Sequence, residues 1–118
     1  MDSSKTEHFV NEMWDDAIIP ELCDYIEVPN KSPMFDPDWE QHGYMDQAVE
    51  MLEKGCLAQP IKGMTTEVIR LEGRTSILFM EIPGDSDDVV LLYGHYDKQP
   101  EFEGWDEDLD PWTPVIRD

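Results

Sequence analysis

The sequence predicts an α/β fold in which two helices are followed by three strands and a long loop. Two observations support this prediction. Up to about residue 58, apolar residues recur every three to four positions, which is helical spacing. From Met64 on, β-branched and aliphatic residues form short runs of strand length. The chain has 118 residues, a length that suits one domain.

The first predicted helix covers residues 5–26. Phe9, Met13 and Ala17 recur every four residues, and a neighbouring apolar stripe contains Trp14, Ile18, Leu22 and Tyr25. Pro20 lies inside this pattern and lacks the N–H that a helix interior needs, so we expect a kink or a restart there.

The second predicted helix starts in "FDPDWEQ" and extends to about Ala58. Asp36 is a candidate N-cap and Pro37 suits the first helical position. An apolar stripe follows at helical spacing: Met45, Ala48, Val49, Leu52 and Cys56. Gly55 weakens the last turn, and Pro60 stops the helix.

The three predicted strands lie in "TTEVIRL", "TSILFMEI" and "DVVLLYGH". "EGR" joins the first two as a tight hairpin turn, in which Gly73 is free to adopt a positive φ. The third strand, residues 88–94, is almost wholly apolar, which is typical of a strand covered on both faces. The two helices can cover one face of the sheet, and nothing later in the sequence covers the other, so we expect the chain to be part of a larger domain.

Residues 98–118 are expected to form an ordered loop. They contain three prolines and many acidic residues, but four large apolar side chains there need a place to pack: Phe102, Trp105, Leu109 and Trp112.

The charge of the chain excludes some classes of partner. The formal net charge is −20, from 28 acidic and 8 basic residues, so nucleic-acid phosphates and anionic membranes would be repelled. No apolar run is long enough to span a membrane, and the first sixteen residues lack the apolar core that a secretory signal needs. Cys23 and Cys56 are far apart and form no CxxC motif, which favours two free thiols over a Cys23–Cys56 disulfide and predicts a cytoplasmic location.

The third strand ends in His95-Tyr96-Asp97. In extended backbone, residues i and i+2 lie on one face, so His95 and Asp97 are expected side by side at the carboxyl end of the strand. A neutral imidazole is a good zinc ligand, and such a ligand usually donates its other N–H to a carboxylate. The same spacing equally fits an exposed pair at a strand end. His8 and His42 have no partner at metal spacing and are interpreted as surface residues, so the chain would contain at most part of a metal centre.

Longer stretches of the sequence resemble the N-terminal part of the M20 metallopeptidases, especially the branch related to carnosine dipeptidases. The similar stretches are "IIPELCDYIEVPNKSPMFDPDW", "MTTEVIRLEGRTSILFMEIPG", "VVLLYGHYDKQPEFEGW" and "LDPWTPVIRD". The resemblance covers nearly the whole chain. It is far more specific than the His-x-Asp pattern, because the flanks, the hairpin and the loop match in order. Ser76 departs from it, standing where many relatives have proline, and Gly55 stands where many have a bulky aromatic.

The resemblance implies a zinc-peptidase (phosphorylase/hydrolase-like) three-layer αβα fold, of which residues 1–118 are the N-terminal portion of the catalytic domain. It implies two zinc ions, or other divalent metals, and hydrolysis of amide bonds in dipeptides or short peptides. His95 matches the first metal-binding histidine, and Asp97 matches the catalytic, ligand-orienting aspartate. The remaining ligands and the general base follow later in family members, as does a lid domain through which many form homodimers, so the 118 residues alone are expected to be inactive.

A second hypothesis belongs to another class of protein. The chain would be a non-catalytic module that binds or assembles with a partner covering its open sheet face. A third interpretation is a proteolytic or cloning fragment with no function of its own.

Overall fold

The computed structural model describes residues 2–117 and contains both helices and strands, so the predicted mixture is confirmed. Its elements, in chain order, are α1 (Ser3–Met13), a π-helical turn (Trp14–Ile18), α2 (Ile19–Glu27), α3 (Trp39–His42), α4 (Tyr44–Leu57), β1 (Thr65–Ile69) and β2 (Ile77–Glu81).

The chain divides into two compact units. One contains the chain up to Pro29 and from Glu101 onward, and the other is Asn30–Pro100. The first unit therefore contains α1, the π-helical turn, α2 and the C-terminal loop. The second contains the remaining helices, both strands and the segment that includes His95.

The predicted first helix is present, and Pro20 perturbs it as expected. Asp2 caps its start, because its side chain accepts a hydrogen bond from the backbone N–H of Lys5. The perturbation is the π-helical turn, in which Ile19 donates its N–H to the carbonyl of Trp14, five residues back. Pro20 has no N–H to donate to the carbonyl of Asp16, so an α-helix would lack that hydrogen bond in any case. A wider turn at this position therefore loses fewer backbone hydrogen bonds than it would elsewhere in the helix.

The predicted second helix starts later than expected and is interrupted. Asp36 is not its N-cap, since α3 begins only at Trp39. Gly43 adopts a positive φ of 71°, which ends α3, and α4 then begins at Tyr44. The predicted end near residue 58 agrees with the observed end at Leu57.

The core of the second unit lies along one face of α4. Met45, Ala48 and Val49 are buried, as their spacing predicted, and α4 contacts both β1 and β2. The rest of the predicted stripe is less covered, because Leu52 is exposed and Cys56 is only half-buried.

The two strands form an antiparallel hairpin with a wide loop. The register runs from Thr65 opposite Glu81 to Ile69 opposite Ile77, so residues 70–76 lie outside the ladder. Gly73 has a φ of 67°, and the N–H of Arg74 bonds the carbonyl of Leu71 at 3.1 Å. The expected turn at "EGR" is therefore present, but it sits at the tip of a wider loop than the tight hairpin predicted.

The predicted third strand at residues 88–94 is not confirmed. Within residues 2–117 the sheet consists of β1 and β2, and Val89 to Tyr93 are between 84% and 89% exposed. A wholly apolar strand is stabilised by cover on both faces, and the described residues cover neither.

The C-terminal loop is held by local hydrogen bonds. The indole N–H of Trp105 donates to the carbonyl of Phe102 at 2.6 Å, and the carboxylate of Asp110 accepts from the N–H of Trp112 at 2.9 Å. The packing expected of its large side chains is incomplete, since Phe102 is 72% exposed. Among the described residues, no helix combines the length and apolar character needed to cross a bilayer.

Candidate functional site

His95 and Asp97 are in direct contact. The Nδ1 atom of His95 lies 3.0 Å from the Oδ1 atom of Asp97, and 3.0 Å from the backbone carbonyl oxygen of the same residue. The backbone carbonyl oxygen can only accept a hydrogen bond, and so can the oxygen of an ionised carboxylate. Nδ1 must therefore be the atom that carries the proton.

This contact determines what the other ring nitrogen can do. In the neutral imidazole with its proton on Nδ1, Nε2 of His95 has a free lone pair. Nε2 has no hydrogen-bond partner among residues 2–117, and the side chain is 63% exposed. The side chain of His95 therefore combines an accessible Nε2 atom with a carboxylate at its other ring nitrogen.

A second segment anchors the backbone on which this pair is built. Lys98 donates its N–H to the carbonyl of Asn30 at 2.9 Å, and Ser32 donates its N–H to the carbonyl of Lys98 at 2.9 Å. Lys31 and Lys98 form the resulting parallel bridge. The side-chain amide of Asn30, a residue only 1% exposed, also donates to the carbonyl of Tyr96 at 2.5 Å.

The side chain of Tyr96 provides a further anchor. Its hydroxyl donates to the backbone carbonyl of Ser76 at 2.8 Å, and lies 2.9 Å from the hydroxyl of Ser76, which is then the donor to it. Burial raises the pKa of Tyr96, so the phenol keeps its proton near neutral pH. The chain on either side of Tyr96 is thus tied to the loop before β2.

Sequence reasoning missed the residues that hold the pair. Alternation along His95-Tyr96-Asp97-Lys98 puts Tyr96 and Lys98 on the opposite face from the pair, and that signal could have identified Tyr96 as an anchor. Asn30 lies 66 residues away, and no local pattern marks it.

The other two histidines each contact a different carboxylate. His8 is exposed and contacts Glu12, one helical turn on, at 3.2 Å. The Nδ1 atom of His42 lies 2.8 Å from Oδ2 of Asp36, a buried carboxylate that the sequence pattern had suggested as an N-cap. The burial of Asp36 explains this, because a carboxylate removed from water needs a partner.

Within residues 2–117, no group of three His, Cys, Asp or Glu side chains is arranged to hold a metal ion. A catalytic zinc takes at least three protein ligands. The donor chemistry of His95, oriented by Asp97, fits one ligand position of such a site.

No protein-family model matches the chain. No curated protein matches it either.

Proposed function

We propose that this chain is the N-terminal segment of the catalytic domain of a dizinc metallopeptidase that hydrolyses dipeptides or short peptides. His95 is a zinc ligand through Nε2, and Asp97 orients it. The observation that carries the proposal is the contact between Nδ1 of His95 and Asp97, which directs the accessible Nε2 outward. The sequence resemblance to the M20 family supports the same assignment.

The pair has a limited and definable role in this chemistry. When bound, zinc or another divalent metal polarises the scissile carbonyl and activates water. Asp97 fixes the imidazole tautomer and the orientation of the ring, and His95 supplies one bond to the metal. The other ligands and the general base belong to the remainder of the enzyme, so the 118 residues alone are inactive on this proposal.

The exposed apolar segment is consistent with this role. In the complete enzyme, residues 88–94 form the third strand of a three-layer αβα domain, covered on both faces. His95 and Asp97 then follow directly from a buried strand, where binding sites of α/β sheets form. The enzyme is cytoplasmic and homodimeric through its lid domain on this proposal.

The test uses the full-length protein that contains this chain. His95→Ala removes the nitrogen ligand, so we expect peptide hydrolysis to fall by at least about a thousandfold and the zinc content to fall below two ions per chain. Activity is measured on dipeptides, and metal is measured by atomic absorption.

His8→Ala is the matched control, because His8 is an exposed histidine on a helix of the other unit. We expect it to leave both quantities unchanged. Full activity and full zinc content in the His95 variant would contradict the ligand assignment.

The second candidate function is a non-catalytic module that binds a protein partner. It is favoured by the apolar segment Val89 to Tyr93, whose exposure suits a surface that another chain covers. A gene that encodes a metal-bridging aspartate after Asp118 supports the enzyme. A stop codon at that point, with a stable complex in the source cell, supports the module.

A further inference from the structure

A shallow cleft lies in the second unit, between the segment that leads into α3 and the wide loop of the hairpin. Its volume is about 460 Å³, and its lining residues are Pro33, Trp39, Gly73, Arg74, Thr75 and Ile77. His95 and Asp97 do not line this cleft, so it is separate from the candidate metal-ligand pair.

The cleft is lined by a positively charged side chain that forms no ion pair with the described residues. The guanidinium of Arg74 forms no ion pair with any residue from 2 to 117, whereas Arg70 pairs with Asp46 and Arg117 pairs with Asp108. The chain has 28 acidic residues, yet none of them lines the cleft. An arginine without a carboxylate is therefore the exception among the arginines of this acidic chain.

Two further donors line the same cleft. Within the described part of the chain, neither the indole N–H of Trp39 nor the hydroxyl of Thr75 has a protein hydrogen-bond partner. The rest of the lining is apolar, from Pro33, Ile77 and the indole ring. The lining thus combines a cation and two neutral donors with an apolar wall.

The hairpin loop fixes the backbone at Arg74. The hydrogen bond from the N–H of Arg74 to the carbonyl of Leu71 closes the turn, with Gly73 at the position where a positive φ is required. Arg74 therefore follows a closed turn rather than an unconstrained stretch of chain.

We propose that this cleft binds a small carboxylate that has an apolar group next to it, such as an N-acylated amino acid or the C-terminus of a peptide. Arg74 pairs with the carboxylate, for which the planar guanidinium is the best-suited side chain. Trp39 and Ile77 contact the apolar group, and the indole N–H and Thr75 hydroxyl donate to remaining oxygens. The proposal does not depend on the metallopeptidase assignment, because that assignment rests on His95 and Asp97, which do not line the cleft.

The net charge of −20 opposes anions at long range, but it does not prevent binding at this point. At an ionic strength of about 0.15 M, charges separated by more than about 8 Å are largely screened. For a carboxylate within the cleft, the attraction by Arg74 is then stronger than the repulsion by distant acidic residues.

The test follows binding by NMR at physiological salt, with N-acetyl-L-leucine as the probe and N-acetyl-L-leucinamide as its neutral counterpart. We expect the acid to shift the indole N–H resonance of Trp39 and the amide of Arg74, with a dissociation constant on the order of 1 mM for a ligand of this size. The amide should bind at least about tenfold more weakly, because it lacks the charge that pairs with Arg74. Equal binding of acid and amide would overturn the proposal.

Variants then locate the site. Arg74→Gln should weaken binding of the acid about tenfold or more, and Trp39→Phe, which keeps an aromatic ring but loses the N–H, should weaken it a few-fold. Arg117→Gln, in the other unit, is the matched control and should bind like the wild type. Unchanged binding in Arg74→Gln, with a spectrum that shows a folded chain, would also overturn the proposal.

The peptide Gly-Gly-Leu separates the two sources of such a carboxylate. Binding of either N-acetyl-L-leucine or the peptide at the Trp39 resonance supports the proposal, and the tighter one identifies the source. If neither shifts that resonance at several millimolar, the cleft is not a carboxylate site.

Discussion

At the scale of single residues, the candidate ligand depends on neighbours that do no chemistry. Tyr96 lies between His95 and Asp97 in the chain and is anchored to Ser76, while Asn30 holds the carbonyl of Tyr96. Because the imidazole itself is mostly exposed, its position is determined by this backbone and by Asp97 rather than by packing around the ring.

The anchor between Tyr96 and Ser76 can be measured. Ser76→Ala removes the hydroxyl that contacts Tyr96, and we expect the free energy of unfolding to fall by about 1 kcal/mol because Ser76 is buried. Tyr96→Phe should cost more, about 1–3 kcal/mol, since it also leaves the carbonyl of Ser76 without its donor. The measurement is urea unfolding.

Ser86→Ala is the control for this pair, because the Ser86 hydroxyl makes an exposed hydrogen bond of 3.3 Å to the N–H of Asp88. We expect a change within about 0.5 kcal/mol there. If Ser76→Ala is as mild as Ser86→Ala, the hydroxyl contact does not stabilise the segment.

Lys98 makes the stability of the second unit depend on pH. Burial lowers the pKa of Lys98 to about 8, below its ordinary value of 10.5. Between these values the unfolded chain binds more protons at this residue, so stability rises with pH from about 8 to about 10.5. The effect is small, because solvent reaches much of the amine. Above about pH 10 the raised pKa of Tyr96 acts in the opposite direction, since the folded state then keeps a proton that the unfolded state loses.

Lys98→Met isolates this contribution. We expect the variant to unfold at a higher urea concentration than the wild type at pH 7, and the difference to shrink by about pH 9.5. Lys62→Met, at an exposed position, should show no such trend. A difference that stays constant from about pH 7 to about pH 9.5 would contradict the role of Lys98.

At the scale of elements, the π-helical turn is a local response to one proline. Pro20→Ala restores an N–H that can bond the carbonyl of Asp16, so we expect the turn to become α-helical and the helix to gain about 1 kcal/mol or more. Cα chemical shifts and hydrogen exchange of the backbone amide that the substitution introduces measure the change. Ala58→Gly, at the C-cap of α4, should leave these shifts unaffected. A Pro20→Ala variant that keeps the π turn would mean that other contacts impose it.

The sequence predicted elements best where local signals were strong. The apolar period located both long helices, Pro20 located the irregular turn, and Gly73 located the hairpin tip. Gly43 was missed as a helix break, because a single glycine within a helical pattern is usually tolerated.

The third strand shows why a local pattern is insufficient. Residues 88–94 have the composition of a buried strand, but a strand also needs a hydrogen-bonded neighbour, and composition does not supply one. For the candidate site, spacing predicted that His95 and Asp97 lie together. The anchors at Asn30 and Ser76 depend on contacts over 66 and 20 residues, which no local pattern encodes.

At the scale of the whole molecule, net charge and exposed apolar surface act in opposite directions. The charge of −20 keeps copies apart at low salt, while the segment from Val89 to Tyr93 has the β-branched, uncharged composition that pairs with other strands. Salt screens the repulsion between copies and has little effect on the association of the apolar segments.

We therefore expect the 118-residue chain to self-associate as sodium chloride is raised from about 0.05 to 0.5 M, as measured by light scattering. Leu91→Lys places a charge in the middle of the exposed segment and should suppress this association. Leu57→Lys changes another exposed leucine and should not. Equal association of the two variants would show that a different surface is responsible.

The bridge between Lys31 and Lys98 has a consequence for the order of folding. It brings together the two ends of the second unit, so forming it closes a loop of more than 60 residues. Contacts of such sequence separation form late, because the chain entropy of closure must be lost before they are made. The helix α4, the hairpin and the contact of Tyr96 with Ser76 can form from nearer neighbours, whereas the His95 segment gains its anchors at Asn30 and Ser32 only when the ends of the unit meet. During synthesis on a ribosome, the hairpin can therefore form before the imidazole of His95 is held in its final orientation.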